Sequence, residues 1–82
     1  MMNLFKTDCK IASKKTEVER VVSTLIEHNC GMEVTIRRVG DDAYSYEFLA
    51  TEKQYYAILA SLKDYIKVCY RDSFGREQYR EP

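Results

Sequence analysis

The chain has 82 residues, and its 13 lysines and arginines cancel its 13 aspartates and glutamates. Net charge therefore gives no drive toward nucleic acid or an anionic membrane unless charge is segregated onto one face. A chain of this length is expected to form one domain, residues 1–71, with a polar C-terminal tail over 72–82 that is flexible or loosely docked; with only roughly 60% of the unfolded surface buried, little is left for a deep pocket.

Asn3 to Ala12 reads as a first strand, with Phe5, Cys9 and Ile11 on one side and Lys6, Asp8 and Lys10 on the other. Ser13-Lys14-Lys15 is a short connection. Thr16 with Glu19 has the spacing of a capping box, and Val18, Val21, Val22, Leu25 and Ile26 follow the spacing of a buried helical stripe. Asn29 and Gly31 supply the stop signal.

Met32 to Leu49 reads as two alternating strands around a turn at Gly40-Asp41-Asp42. Met32, Val34 and Ile36 share one side of the first. Tyr44, Tyr46 and Phe48 share one side of the second, opposite Ser45 and Glu47. These apolar sides are expected to lie under the helices, because a one-residue slip would put every ring in water.

Thr51 with Gln54 predicts a second capped helix. Tyr55, Ile58, Leu59 and Leu62 form its inner stripe, with Tyr65 at the margin and Tyr56 turned outward. Ile66 to Arg71 reads as a last strand with Ile66, Val68 and Tyr70 inward. The order is strand, helix, strand, strand, helix, strand. It resembles the ferredoxin-like βαββαβ sandwich, an α+β fold whose antiparallel four-stranded sheet has the order 4-1-3-2 and carries both helices on one face. A three-stranded α+β domain is the alternative if the first segment is not a strand.

The open sheet face is expected to be charged and without rings. Its Lys6, Lys10, Lys67 and Arg71 make a modest basic patch that would bind nucleic acid weakly and in a salt-sensitive way. The stacking aromatics of the RNA-recognition motif are missing from that face. The Cys-x-x-Cys of heavy-metal-associated domains is absent, and the single histidine, His28, is expected at the surface. The expectation is no metal and no cofactor.

No cysteine is predicted to lie close to that histidine, as a nucleophile with its base requires, so a Cys–His pair is not expected. The anion-cradling loop of acylphosphatase-like enzymes and the turn glycine of ACT domains are both missing. The expectation is that the chain is not an enzyme. Cys9, Cys30 and Cys69 are odd in number and widely spaced, unlike a disulfide framework. There is no signal-peptide pattern, and no apolar run nears the ~20 residues of a membrane span. A reduced, cytoplasmic protein is expected.

Seven of the ten aromatic residues are tyrosine, a residue enriched at interfaces. The leading expectation is a small protein-binding module, with Tyr56, Ala60, Phe74 and Tyr79 as candidate contacts. Such a module resembles the accessory inhibitors and regulators of phages and mobile elements, anti-defence and anti-CRISPR proteins among them. Its partner would be another protein, or a second copy joined through a sheet edge at Met32–Val39 or Ile66–Arg71. The nucleic-acid patch is the first alternative and a small-molecule sensor the second.

Overall fold

Residues 5–82 are described in a computed structural model; the Asn3-Leu4 start of the first predicted strand lies outside them. The elements are β1 (Thr7–Lys14), a single 3-10 turn (Lys15–Glu17), α1 (Val18–Glu27), β2 (Thr35–Gly40), β3 (Ala43–Ala50), α2 (Glu52–Leu62), β4 (Ile66–Arg71) and β5 (Glu77–Arg80). All strand pairings are antiparallel, in one five-stranded sheet of order β2-β3-β1-β4-β5. The protein is thus an α+β fold with two helices.

The expected count of four strands is corrected. The segment read as a tail supplies β5, which pairs with β4 from Val68↔Arg80 to Arg71↔Glu77. The open edges are therefore β2 and β5, and Ile66–Arg71 is not an edge. Gln78 and Tyr79 gave too short an alternation to be read as a strand. The missed signal was Gly75, whose positive φ of 78° turns the chain back on itself.

The core sits on one side of the sheet. Ile36, Tyr46, Ile11 and Val68 stand in register across four strands. Tyr46, Phe48, Cys9 and Ile11 join Val21 and Leu25 of α1 and Ile58 and Leu62 of α2 in one buried cluster. The aromatic side of β3 therefore faces the helices, with Tyr44 only partly covered. The Tyr46 hydroxyl lies 2.7 Å from Ser13 Oγ, and Ser13 donates to Lys14 O at 2.9 Å. With the Ser13 proton committed there, Tyr46 is the donor of the pair. Burial raises the Tyr46 pKa, so the phenol keeps that proton.

Ser13→Ala should then be the worse substitution. It strands a buried hydroxyl and should cost about 1–3 kcal/mol, whereas Tyr46→Phe leaves Ser13 bonded to Lys14 and should cost about 1 kcal/mol. Urea unfolding of the two variants side by side measures the difference.

The helix ends divide between one expectation met and one corrected. At Thr51 the box is complete: Gln54 N donates to Thr51 Oγ1 at 3.1 Å, and Thr51 N to Gln54 Oε1 at 2.9 Å. Thr16 caps nothing, because it lies inside the 3-10 turn and α1 starts at Val18 without a side-chain cap. The chain is already committed one residue earlier, where Lys15 N donates to both Asp42 O and Asp42 Oδ1.

At its other end α1 stops at Asn29, in the left-handed region at φ 60°. Cys30 N donates to Leu25 O and Asn29 N to Ile26 O, the pattern of a Schellman motif. Gly31 serves by closeness rather than by φ: a Cβ there would lie 2.7 Å from Ile26 Cγ1.

Three faces differ from the expected alternation. α1 buries Thr24 and leaves Ile26 60% exposed, because the helix rolls toward α2, carrying Arg20 over the Tyr65 ring at 4.1 Å. β2 begins at Thr35, so Met32 is outside it and 97% exposed. Phe5 precedes β1 and is exposed, whereas Ser13, read as connection, is buried within it. Gly40 does not take a positive φ. It pairs with Ala43 across a two-residue turn, and a register shift between Arg38 and Gly40 marks a bulge at Val39.

Candidate partner-binding surface

The start of α2, β4 and the β4–β5 turn carry aromatic side chains to one end of the molecule. Ala50, Thr51 and the start of α2 lie at that end of β3, and β4 runs antiparallel to β1 so that Arg71 comes down beside them. Tyr55 and Tyr56 project from the first turns of α2, with ring centroids 5.8 Å apart. Tyr55 is half-buried, and desolvation raises its pKa. Tyr56 is 60% exposed, and Ala60 lies exposed one turn along the same helix.

Tyr70 stands on the helix side of β4 and is partly exposed rather than fully inward. β5 pairs beside it there, with Gln78 as its cross-strand partner and the Arg80 guanidinium 4.8 Å from the ring centroid. Four residues further along, Phe74 is 80% exposed. The Arg76 guanidinium is 5.2 Å from its ring centroid. Exposed rings with arginines beside them are the residue types that most often dominate binding energy at protein interfaces.

The hairpin that carries Phe74 is built by Asp72. Its Oδ1 accepts from Phe74 N and from Arg76 N, each at 2.9 Å, and its Oδ2 from Gln78 Nε2 at 3.3 Å. Arg76 Nε adds an ion pair at 3.3 Å to Oδ2. The backbone closes the turn through Gly75 N to Asp72 O and Asp72 N to Arg76 O, both 3.0 Å.

The Arg76 amide first, then the Phe74 amide and the Gln78 and Arg76 side chains, hold the Asp72 carboxyl below its ordinary pKa. A depressed folded pKa gives stabilisation that is complete above the unfolded value and is lost as pH falls through the folded one. In an acid titration followed by NMR, the Phe74 and Arg76 amides should therefore lose protection while the Tyr46 amide keeps its own. Simultaneous loss at all three would mean that the turn does not depend on Asp72.

Tyr79 does not join this surface. Cross-strand partners share a face, and Tyr79 stands opposite Cys69 on the side away from the helices. This corrects the expectation of an open face without rings. Its hydroxyl is pushed up in pKa by burial.

The four basic candidates do not form one free patch either. Lys10 Nζ donates to both Glu77 oxygens, at 3.0 and 3.3 Å. Arg71 donates to Gly75 O. Lys6 precedes β1, where its charge acts on the Cys30 thiol. Lys67 lies across from Ala12, next to Ser45, which the longer chains in its row leave almost fully buried. Asp8 and Glu47 share the face, and the hydrogen bond and charge of Asp8 raise the Glu47 pKa.

Cys69 Sγ donates to Glu77 Oε2 at 3.4 Å, and burial followed by that bond raises its pKa. A thiol held protonated is a poor nucleophile. Cys9 and Cys30 are buried and raised by desolvation. Among the described residues no three His, Cys, Asp or Glu side chains gather to hold a metal ion. No helix among them is long and apolar enough to cross a membrane.

A cleft of about 750 Å³ at the far end of the sheet is lined by both signs of charge, Lys14 and Lys67 with Glu17, Asp42 and Asp64. Asp42 is already occupied by the Lys15 amide.

Comparison of the chain with protein-family models, curated proteins and solved structures finds no match.

Proposed function

We propose that the protein is a non-catalytic module that binds another protein through Tyr56, Ala60 and Phe74, with Tyr70 and Arg80 between the helix and the hairpin. One observation carries the reading: Phe74 is a large apolar ring in water on a mount fixed by three hydrogen bonds that one carboxylate accepts. An exposed ring on a preformed turn loses little conformational entropy on docking, which is what an interface anchor requires. The scaffold is read as a ferredoxin-like sandwich lengthened by β5, since the four strands other than β5 stand in the order β2-β3-β1-β4.

Such a module acts by occupying its partner's surface. Inhibition or regulation of a host protein, as by anti-defence proteins of mobile elements, is the kind of task this suits, carried out in the cytoplasm. The test is a comparative capture from a host lysate, read by mass spectrometry, with wild type, Tyr56→Ala and Phe74→Ala as baits. A protein held by wild type and lost from both variants, with their melting temperatures unchanged, supports the reading. Partners retained equally by all three baits would refute it.

A further inference from the structure

We propose that two copies of this chain join through their β2 edges, in an antiparallel two-fold register centred on Thr35. This goes beyond the aromatic surface, which lies away from β2 and stays free in such a dimer. All six residues of β2 are exposed, and the strand has a neighbour on one side only. Apolar side chains collect beside it. Ile36 is 41% exposed on the helix side, with Val34 half-buried before it and Ile26, on the flank of α1 turned from α2, lying against Gly31.

Charge selects both the edge and the register. A two-fold antiparallel pairing must be centred on a residue for cross-strand partners to share a face. Centred on Thr35, it sets Glu33 against Arg37 of the second copy twice, and Val34 against Ile36 twice. Centring on Arg37 sets that arginine against itself. Centring on Ile36 puts Arg38 against Val34, and centring on Val34 leaves Arg37 opposite Gly31.

The bulge at Val39 also ends the regular stretch at Arg38, so pairing extends the other way. Met32 and Glu33 form a turn and Val34 precedes β2 in the single chain; dimerisation draws Glu33 and Val34 out into the strand, lengthening it by two residues. The β5 edge lacks this self-match. Centred on Gln78 it opposes Arg76 to Arg80; centred on Tyr79 it opposes Glu77 to Glu81. Like charges placed directly opposite oppose pairing.

Sedimentation equilibrium of the full chain from 5 to 500 μM (roughly two decades, enough to see a tenfold change in Kd) tests the proposal. Wild type should dimerise with concentration, and less so at high salt. Arg37→Glu and Glu33→Arg, each at an exposed position, should each weaken the dimer at least tenfold, and the double swap should restore it. Amide exchange on wild type at low and high concentration needs no substitution and should show new protection confined to Glu33–Arg37. A monomer throughout, a dimer indifferent to Arg37→Glu, a double swap that fails to restore association, or protection along Glu77–Arg80 would each overturn it. Phe74→Ala should leave the dimer intact, so failure here is separable from failure of the aromatic surface.

Discussion

Phe48→Ala should destabilise the protein by about 3–5 kcal/mol, the range for removing a buried ring. Phe48 sits on β3, pairs with Cys9 of β1 and is almost fully buried in the core cluster shared with both helices. Few side chains are near enough to collapse into the space it would leave, because the chain is short and its core is one layer deep. Stability on the order of 4–12 kcal/mol is ordinary for a chain of this length, so the loss is a large share of the total. Chemical denaturation should show a lower midpoint with an unchanged slope. A loss under about 1 kcal/mol would mean that the ring is not packed between the sheet and the helices as described.

Phe74→Ala should leave folding alone and weaken the proposed partner complex by about 2 kcal/mol or more, roughly 30-fold in Kd, the size expected of an anchor at an interface centre. Its ring is exposed and touches little besides the Arg76 guanidinium. Its removal leaves every bond of the Asp72 turn in place, since those use the Phe74 amide and not the side chain. Tyr56→Ala should act in the same direction. Titration calorimetry with the captured partner, alongside thermal melts, separates the two effects. Full affinity in Phe74→Ala would move the interface elsewhere on the protein.

The sheet's inner face could be read from residue order alone because period-two alternation is strong in Tyr44-Ser45-Tyr46-Glu47-Phe48. The same holds for the α2 box, where Thr51 and Gln54 interact across three residues and need nothing distant. What could not be read was set by distant contacts. Thr16 has the right neighbour at the right spacing, yet Asp42 takes hold of Lys15 from across the fold. Ile26 continues an apolar stripe, yet docking against α2 rolls it outward.

β5 escaped notice because short polar strands owe their pairing to a turn, and the turn depends on Asp72 accepting three hydrogen bonds that no pattern announces. Of the candidate contacts, Tyr56 and Phe74 are exposed as their sequence neighbourhoods suggest. Tyr79 lies on the opposite face because strand parity put it there.

The central place of β1 sets the order in which the protein can assemble. Its partners are β3, which starts some thirty residues later, and β4, later still. As the chain leaves the ribosome, Thr7–Lys14 has no ladder to join until Ala50 has been made, and its second flank stays bare until Arg71 follows. Folding that waits on such far-separated pairings is slow compared with that of a helical bundle of equal size. During the wait, a strand that ends at the middle of the sheet, paired on both sides, is open to pairing with the wrong chain.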